Sequence, residues 1–140
     1  MQQQISVITL GVSDLHHSKR FYSEGFGWTP IFDNGEIAFY QMNGLVLGTW
    51  LKHELEADAQ RANSHGSGAI TLAPNVDSGD SVDRLVERLV RSGGRLLRAP
   101  DAPPHGGFRG YVADPDDHAW EIAWNPAWHI DERGHVTFGL

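Results

Sequence analysis

The chain has 140 residues, with 18 Asp and Glu against 11 Lys and Arg, a formal charge of −7 with neutral histidine, and no cysteine. That length suits one domain with a core of its own. The missing cysteines exclude disulfides, thiolate metal sites and cysteine nucleophiles, and the acidic balance repels nucleic acid rather than steering it in. Residues 1–6 hold no basic stretch ahead of an apolar run, and no segment approaches the roughly 20 apolar residues of a membrane span, so a soluble, cytoplasmic protein is expected.

Ile8-Thr9-Leu10 lies in a β-branched run that predicts the first strand. Ser13 or Asp14 then caps an amphipathic helix carrying Leu15, Phe21 and Tyr22, which stops at Gly25 and Gly27. Strands follow at 28–32, 36–41 and 45–51, separated by the hairpin-type turns Asn34-Gly35 and Asn43-Gly44. After a polar, helix-capable link over 53–67, Ile70-Thr71-Leu72 repeats the opening tripeptide. Asp77 to Asp80 precede Val82, Leu85, Val86, Leu89 and Val90 at helical spacing, ending at Gly93-Gly94. Three more strands are expected at 95–98, 108–113 and 119–124, the last two joined by the turn Asp114-Pro115-Asp116. The second copy carries its extra length near 74–79 and 100–107. The order is βαβββ twice, an α+β domain over 1–140: module one at 5–52, the link at 53–67, module two at 68–126 and a partly apolar tail at 127–140.

The opening Ile8-Thr9-Leu10-Gly11-Val12-Ser13-Asp14-Leu15, with Phe21-Tyr22 and Gly25-Phe26-Gly27 behind it, and the closing run from Asp114 to Ile122 resemble the vicinal oxygen chelate superfamily of glyoxalase I, bleomycin-resistance proteins and ring-cleaving dioxygenases. The resemblance covers 5–126 and implies two βαβββ modules forming a curved, cleft-enclosing mixed sheet with helices outside. Asp117 departs from it, standing in a turn where the family usually has glycine. The resemblance also implies four inward positions for a divalent metal, and these fall on Val7, Leu47, Ala69 and Glu121. Only Glu121 can ligate, whereas Fe, Ni, Mn or Zn normally needs three or more nitrogen or oxygen ligands. No cofactor is therefore expected. A rearranged metal site would join Glu121 to His105 or His118, histidine being the commonest transition-metal ligand. The remaining histidines, at 16, 17, 53, 65, 129 and 135, read as solvated.

Strand alternation puts Val7, Thr9 and Gly11 on the cleft face with Leu45, Leu47 and Thr49, with Ala69, Thr71 and Ala73, and with Ala119, Glu121 and Ala123. Ile8, Leu10, Val46, Trp120, Ile122 and Trp124 are then expected under the helices. Phe39 or Tyr40, Trp50, Phe108, Arg109 and Tyr111 are candidates for the mouth, and 102–107 for a lid. Glu121 is the candidate catalytic group, since a carboxylate on an apolar face without a metal can serve as general base or acid. It could equally be satisfied by Arg109, a backbone amide or water.

Two function classes lead, and a third, a structural or interaction module, stays open beside them. One is a homodimeric binding protein, similar to the bleomycin-resistance branch, that holds a small organic molecule in a largely apolar, metal-free cleft. The other is an enzyme, a lyase, isomerase or epimerase, or dioxygenase, using Glu121 as base or in the rearranged metal site. Glutathione-dependent glyoxalase I activity is not expected, because in the family that chemistry needs the metal. Whether the cleft lies within one chain or across two is open, and the tail, with Trp128 and Phe138, could cover the sheet or meet a partner subunit.

Overall fold

The computed structural model describes residues 1, 3–61 and 70–138. Module one runs β1 (Val7–Val12), α1 (Leu15–Arg20) widening directly into a π-helical turn (Phe21–Gly25), β2 (Phe32–Asp33), β3 (Ile37–Gln41) and β4 (Val46–Leu51). A short helix, α2 (Lys52–Asp58), begins the link. Module two runs β5 (Thr71–Leu72), α3 (Gly79–Arg91), β6 (Arg95–Asp101), β7 (Phe108–Ala113) and β8 (Ala119–Trp124), and the tail forms a hairpin of β9 (His129–Ile130) and β10 (Val136–Thr137). Asp14 caps α1 by accepting from the His17 amide at 2.9 Å, and Ser78 caps α3 by accepting from the Ser81 amide at 3.1 Å.

The two sheets have equivalent orders, β1-β4-β3-β2 and β5-β8-β7-β6. In each, the first strand pairs in parallel with the last and the other pairs are antiparallel. The chain is thus α+β, built from two βαβββ modules that each carry a four-stranded sheet. Residues 28–31 are not strand as expected, because Trp28 turns inward and stacks on Phe26 with centroids 4.2 Å apart. Burying that ring outweighs extending an edge strand.

Both sheets share one core. The Tyr22 ring lies 5.8 Å from Tyr40 on β3 and 5.8 Å from Trp120 on β8, so one side chain of module one touches both sheets. A Cβ added to Gly94 would stand 2.7 Å from Phe21 and 2.7 Å from Val112 of β7. α1 and α3 therefore pack between the sheets, off the two open faces. A buried polar chain ties the modules. The Trp120 indole donates to the Tyr22 hydroxyl at 3.2 Å, which donates to Asp114 at 2.6 Å. The other Asp114 oxygen accepts from the amides of Asp116 and His118, both at 2.9 Å. Burial, then the neighbouring Asp114 charge, pushes the Tyr22 phenol well above its ordinary value, and burial also raises Asp114.

Candidate functional site

Register decides which side chains share the open faces. β1 pairs Val7 with Val46, Thr9 with Gly48 and Gly11 with Trp50, and β3 adds Phe39 opposite Gly48 and Ile37 opposite Trp50. Open face one therefore carries Val7, Thr9, Gly48, Phe39 and Trp50. Leu47 and Thr49, expected on this face, stand on the opposite one, 2% and 0% exposed. The reason is that β4 reads Val-Leu-Gly-Thr-Trp-Leu, apolar on both sides, so its alternation has no phase until β1 supplies one. Gly48 is the residue the face needs there. A Cβ at that position would come 3.1 Å from the Phe39 ring and 3.4 Å from the Thr9 hydroxyl. α2 lies over the end of this face, with Leu55 and Lys52 each 3.5 Å from where a Gly11 Cβ would stand.

Open face two carries Thr71 beside Ala119, Glu121 opposite Tyr111, and Ala123 opposite Arg109. β6 brings Arg98 beside Tyr111 and Asp101 beside Arg109. The polar groups pair off on this face. Asp101 holds the Arg109 guanidinium, whose side chain is 15% exposed, and takes Arg98 at 2.8 Å. The Tyr111 phenol lies opposite the Glu121 carboxylate, and burial first, then the neighbouring Glu121 carboxylate, raise the phenol above its ordinary value. Arg109 thus answers to Asp101 rather than Glu121. Sequence reasoning missed Asp101 because β6 was expected to stop at 98, and passed over Arg98, inside the expected strand, because its partner Asp101 lay beyond it. Their only signal was the Arg-Ala-Pro-Asp spacing of opposite charges.

Phe108, expected at the mouth, points the other way. It pairs with Trp124 and packs its ring 3.5 Å from where a Gly79 Cβ would stand, against the core. His118 has the opposite parity to Glu121 on β8 and contacts the Gly11 carbonyl through Nε2 at 2.9 Å. His105 is exposed in the 102–107 loop, and Ala69 and His65 lie outside the described residues. Among the described residues, no three His, Asp or Glu side chains converge as metal ligands. On open face one Val7 is hydrocarbon and Gly48, which stands there in place of Leu47, has no side-chain donor, so the donor set does not fit a divalent metal of the family's kind. Because Tyr22 spans the core between the sheets, the open faces of one chain turn away from each other. Val7, Thr9 and Trp50 are on one face, and Thr71, Arg109, Tyr111 and Glu121 on the other.

The sequence profile of the Glyoxalase/Bleomycin resistance protein/Dioxygenase superfamily matches residues 4–122. The chain belongs to this superfamily. A glyoxalase-related enzyme from Fulvimarina pelagi is 58% identical, with 99% of this chain and 100% of that one covered and a TM-score of 0.95. The metallothiol transferase FosB of Lysinibacillus sphaericus (strain C3-41) is 29% identical over 123 residues, 86% of this chain and 81% of that protein. A lactoylglutathione lyase from Agrobacterium tumefaciens, 22% identical with a TM-score of 0.70 over 94% of this chain and 100% of that one, shares the fold. Within this superfamily the turn residue Asp117 is the departure noted above, and its φ of 68° is a left-handed angle that favours glycine. No helix among the described residues is long and apolar enough to cross a membrane.

Proposed function

We propose that two copies of this cytoplasmic chain associate so that open face one of each meets open face two of the other, closing two clefts that each bind a small organic molecule without a metal. The observation that carries this reading is the divergence of the two open faces about a shared core, which leaves each chain with two half-clefts and no whole one. β1 and β5 are sheet edges, and Ile5, Val7 and Ile70 on or beside them are 63%, 48% and 53% exposed, an apolar margin that a second copy would cover. In the closed cleft Phe39 and Trp50 supply an apolar wall for a planar ring, and Tyr111, Glu121 and Arg109 supply a hydrogen-bonding wall opposite. The names glyoxalase-related enzyme and metallothiol transferase suggest catalysis with a metal, but the hydrocarbon at Val7 and the missing side chain at Gly48 argue against carrying the metal over. Native mass spectrometry with metal analysis tests the reading. A dimer free of Fe, Ni, Mn and Zn after incubation with those ions is expected; a monomer, or near one metal ion per chain, would overturn it.

One observation favours a second reading. The Tyr111–Glu121 pair could move a proton, Glu121 taking it from an activated carbon and returning it to the same or a neighbouring carbon, as an isomerase or epimerase does. Glu121→Gln would then abolish turnover with ligand affinity kept, whereas in a binding protein it lowers affinity modestly.

A further inference from the structure

The molecule has a second recess, distinct from the open faces. It lies on the core side of both sheets, where the modules meet, and has a volume of about 340 Å³. That falls within the range of ligand pockets and exceeds the voids of a packed interior. Its walls are Ile8 and Leu47 from sheet one, Leu72 and Trp120 from sheet two, and Trp28 between them. The Trp28 and Trp120 rings meet edge-to-face with centroids 5.7 Å apart.

Two features set the chemistry of an occupant. No charged side chain lines the recess among the described residues, so an ion would lose its hydration without a counter-charge. Two carboxamides stand on the lining. Asn43 donates its Nδ2 to the Arg133 carbonyl at 2.9 Å, which leaves its oxygen as a spare acceptor. Asn75 accepts from Asn125 at 3.0 Å, which leaves its Nδ2 as a spare donor. The tail hairpin closes one side with Gly134 and Val136, and the Asn43–Arg133 bond ties it to module one.

We propose that this seam recess binds a neutral molecule consisting of one aromatic ring with a single hydrogen-bonding substituent, the ring against the wall formed by the two indoles and the substituent at Asn43 and Asn75. The proposal is separate from the cleft between copies, because the apolar walls Ile8, Leu47, Leu72, Trp120 and Trp28 lie off the open faces, and Asn75, in register with Ala123, is where the recess borders open face two.

The test is a titration of p-cresol into the whole protein, followed by the NMR signals of the indole N–H groups, with Trp28→Phe to assign the Trp28 signal. A saturating shift of that signal at one site per chain is expected. Ala73→Phe and Val136→Phe, which fill the recess from two exposed positions on its lining, should each weaken binding at least tenfold with an unchanged circular dichroism spectrum. Benzoate, a similar ring carrying a charge, should bind at least tenfold more weakly than p-cresol. A shift that stays linear in p-cresol, equal binding in both folded filling variants, or equal binding of benzoate would overturn the proposal.

Discussion

The two modules repeat one βαβββ plan, yet their open faces differ in kind. Face one presents Thr9, Phe39 and Trp50 over the bare backbone of Gly48, with α2 lying across its end. Face two presents Arg98, Arg109 and Asp101 in one charge cluster and Tyr111 with Glu121 as a cross-strand pair. The helix-facing sides, by contrast, are alike, since both contribute apolar side chains to a single core. The buried faces, where packing tolerates few changes, are thus alike in the two modules, while the exposed faces differ. An apolar wall and a polar wall are what two copies would bring together in one cleft.

The largest effect is expected where the faces depend on each other. In Gly94→Ala the new methyl would stand 2.7 Å from Phe21 and Val112 and 2.9 Å from the Leu89 carbonyl, an overpacking cost of about 3 kcal/mol. Urea unfolding should show this loss with one midpoint for probes on both faces; separate midpoints would mean that the modules are not one cooperative unit.

Tyr22→Phe comes next, at about 2 kcal/mol, because it strips the buried Asp114 oxygen of its hydroxyl donor and the Trp120 indole of its acceptor. The phenol's folded value lies above the ordinary 10.0, so its contribution is complete below that pH and is lost as pH rises from there towards the folded value. Wild-type stability should therefore fall in strongly alkaline solution with a slope that the phenylalanine variant lacks; equal slopes would remove Tyr22 as the source.

Glu121→Gln should be confined to face two. Removing the carboxylate charge lowers the Tyr111 phenol value towards the ordinary one, because burial is then opposed by the Arg109 and Arg98 charges. Ultraviolet titration of the phenols would follow this, with stability changed by about 1 kcal/mol or less for a half-exposed pair. A Tyr111 titration that does not move would break the pairing on which the polar wall rests.

How much of this was legible in the sequence follows from where the pattern was one-sided. The strands 108–113 and 119–124 alternate and were found at those bounds; the repeat of Ile8-Thr9-Leu10 located module two. β4 is apolar on both sides, so the phase of Leu47 and Thr49 could come only from pairing with β1. Phe108 was misplaced because an aromatic at a strand start fits either face. Asp101 was passed over because β6 runs through Pro100 with register shifts, where propensity argues for a strand end, and Arg98 because its partner lay past that end. The divergence of the open faces lay beyond any local pattern, since it depends on Tyr22 touching two sheets at once.

The smallest effect compares the two equivalent turns. Between β3 and β4 the left-handed position is Gly44, with φ of 85°, and between β7 and β8 it is Asp117, with φ of 68°. Aspartate tolerates that angle better than most residues but at a cost of about 1 kcal/mol relative to glycine. In return the Asp117 carboxylate takes Arg95 at 2.5 Å, a pair with side chains 66% and 67% exposed. Exposed pairs contribute between about 0 and 1 kcal/mol, and salt weakens them. Asp117→Gly should therefore be close to neutral at low salt and stabilising by about 0.5 kcal/mol at high salt. Gly44→Asp has no strain to relieve and should destabilise by about 1 kcal/mol at either salt concentration. Thermal unfolding of both variants across a salt series would resolve the difference. If both respond to salt alike, the Arg95 contact contributes nothing, and backbone angle alone separates the two turns.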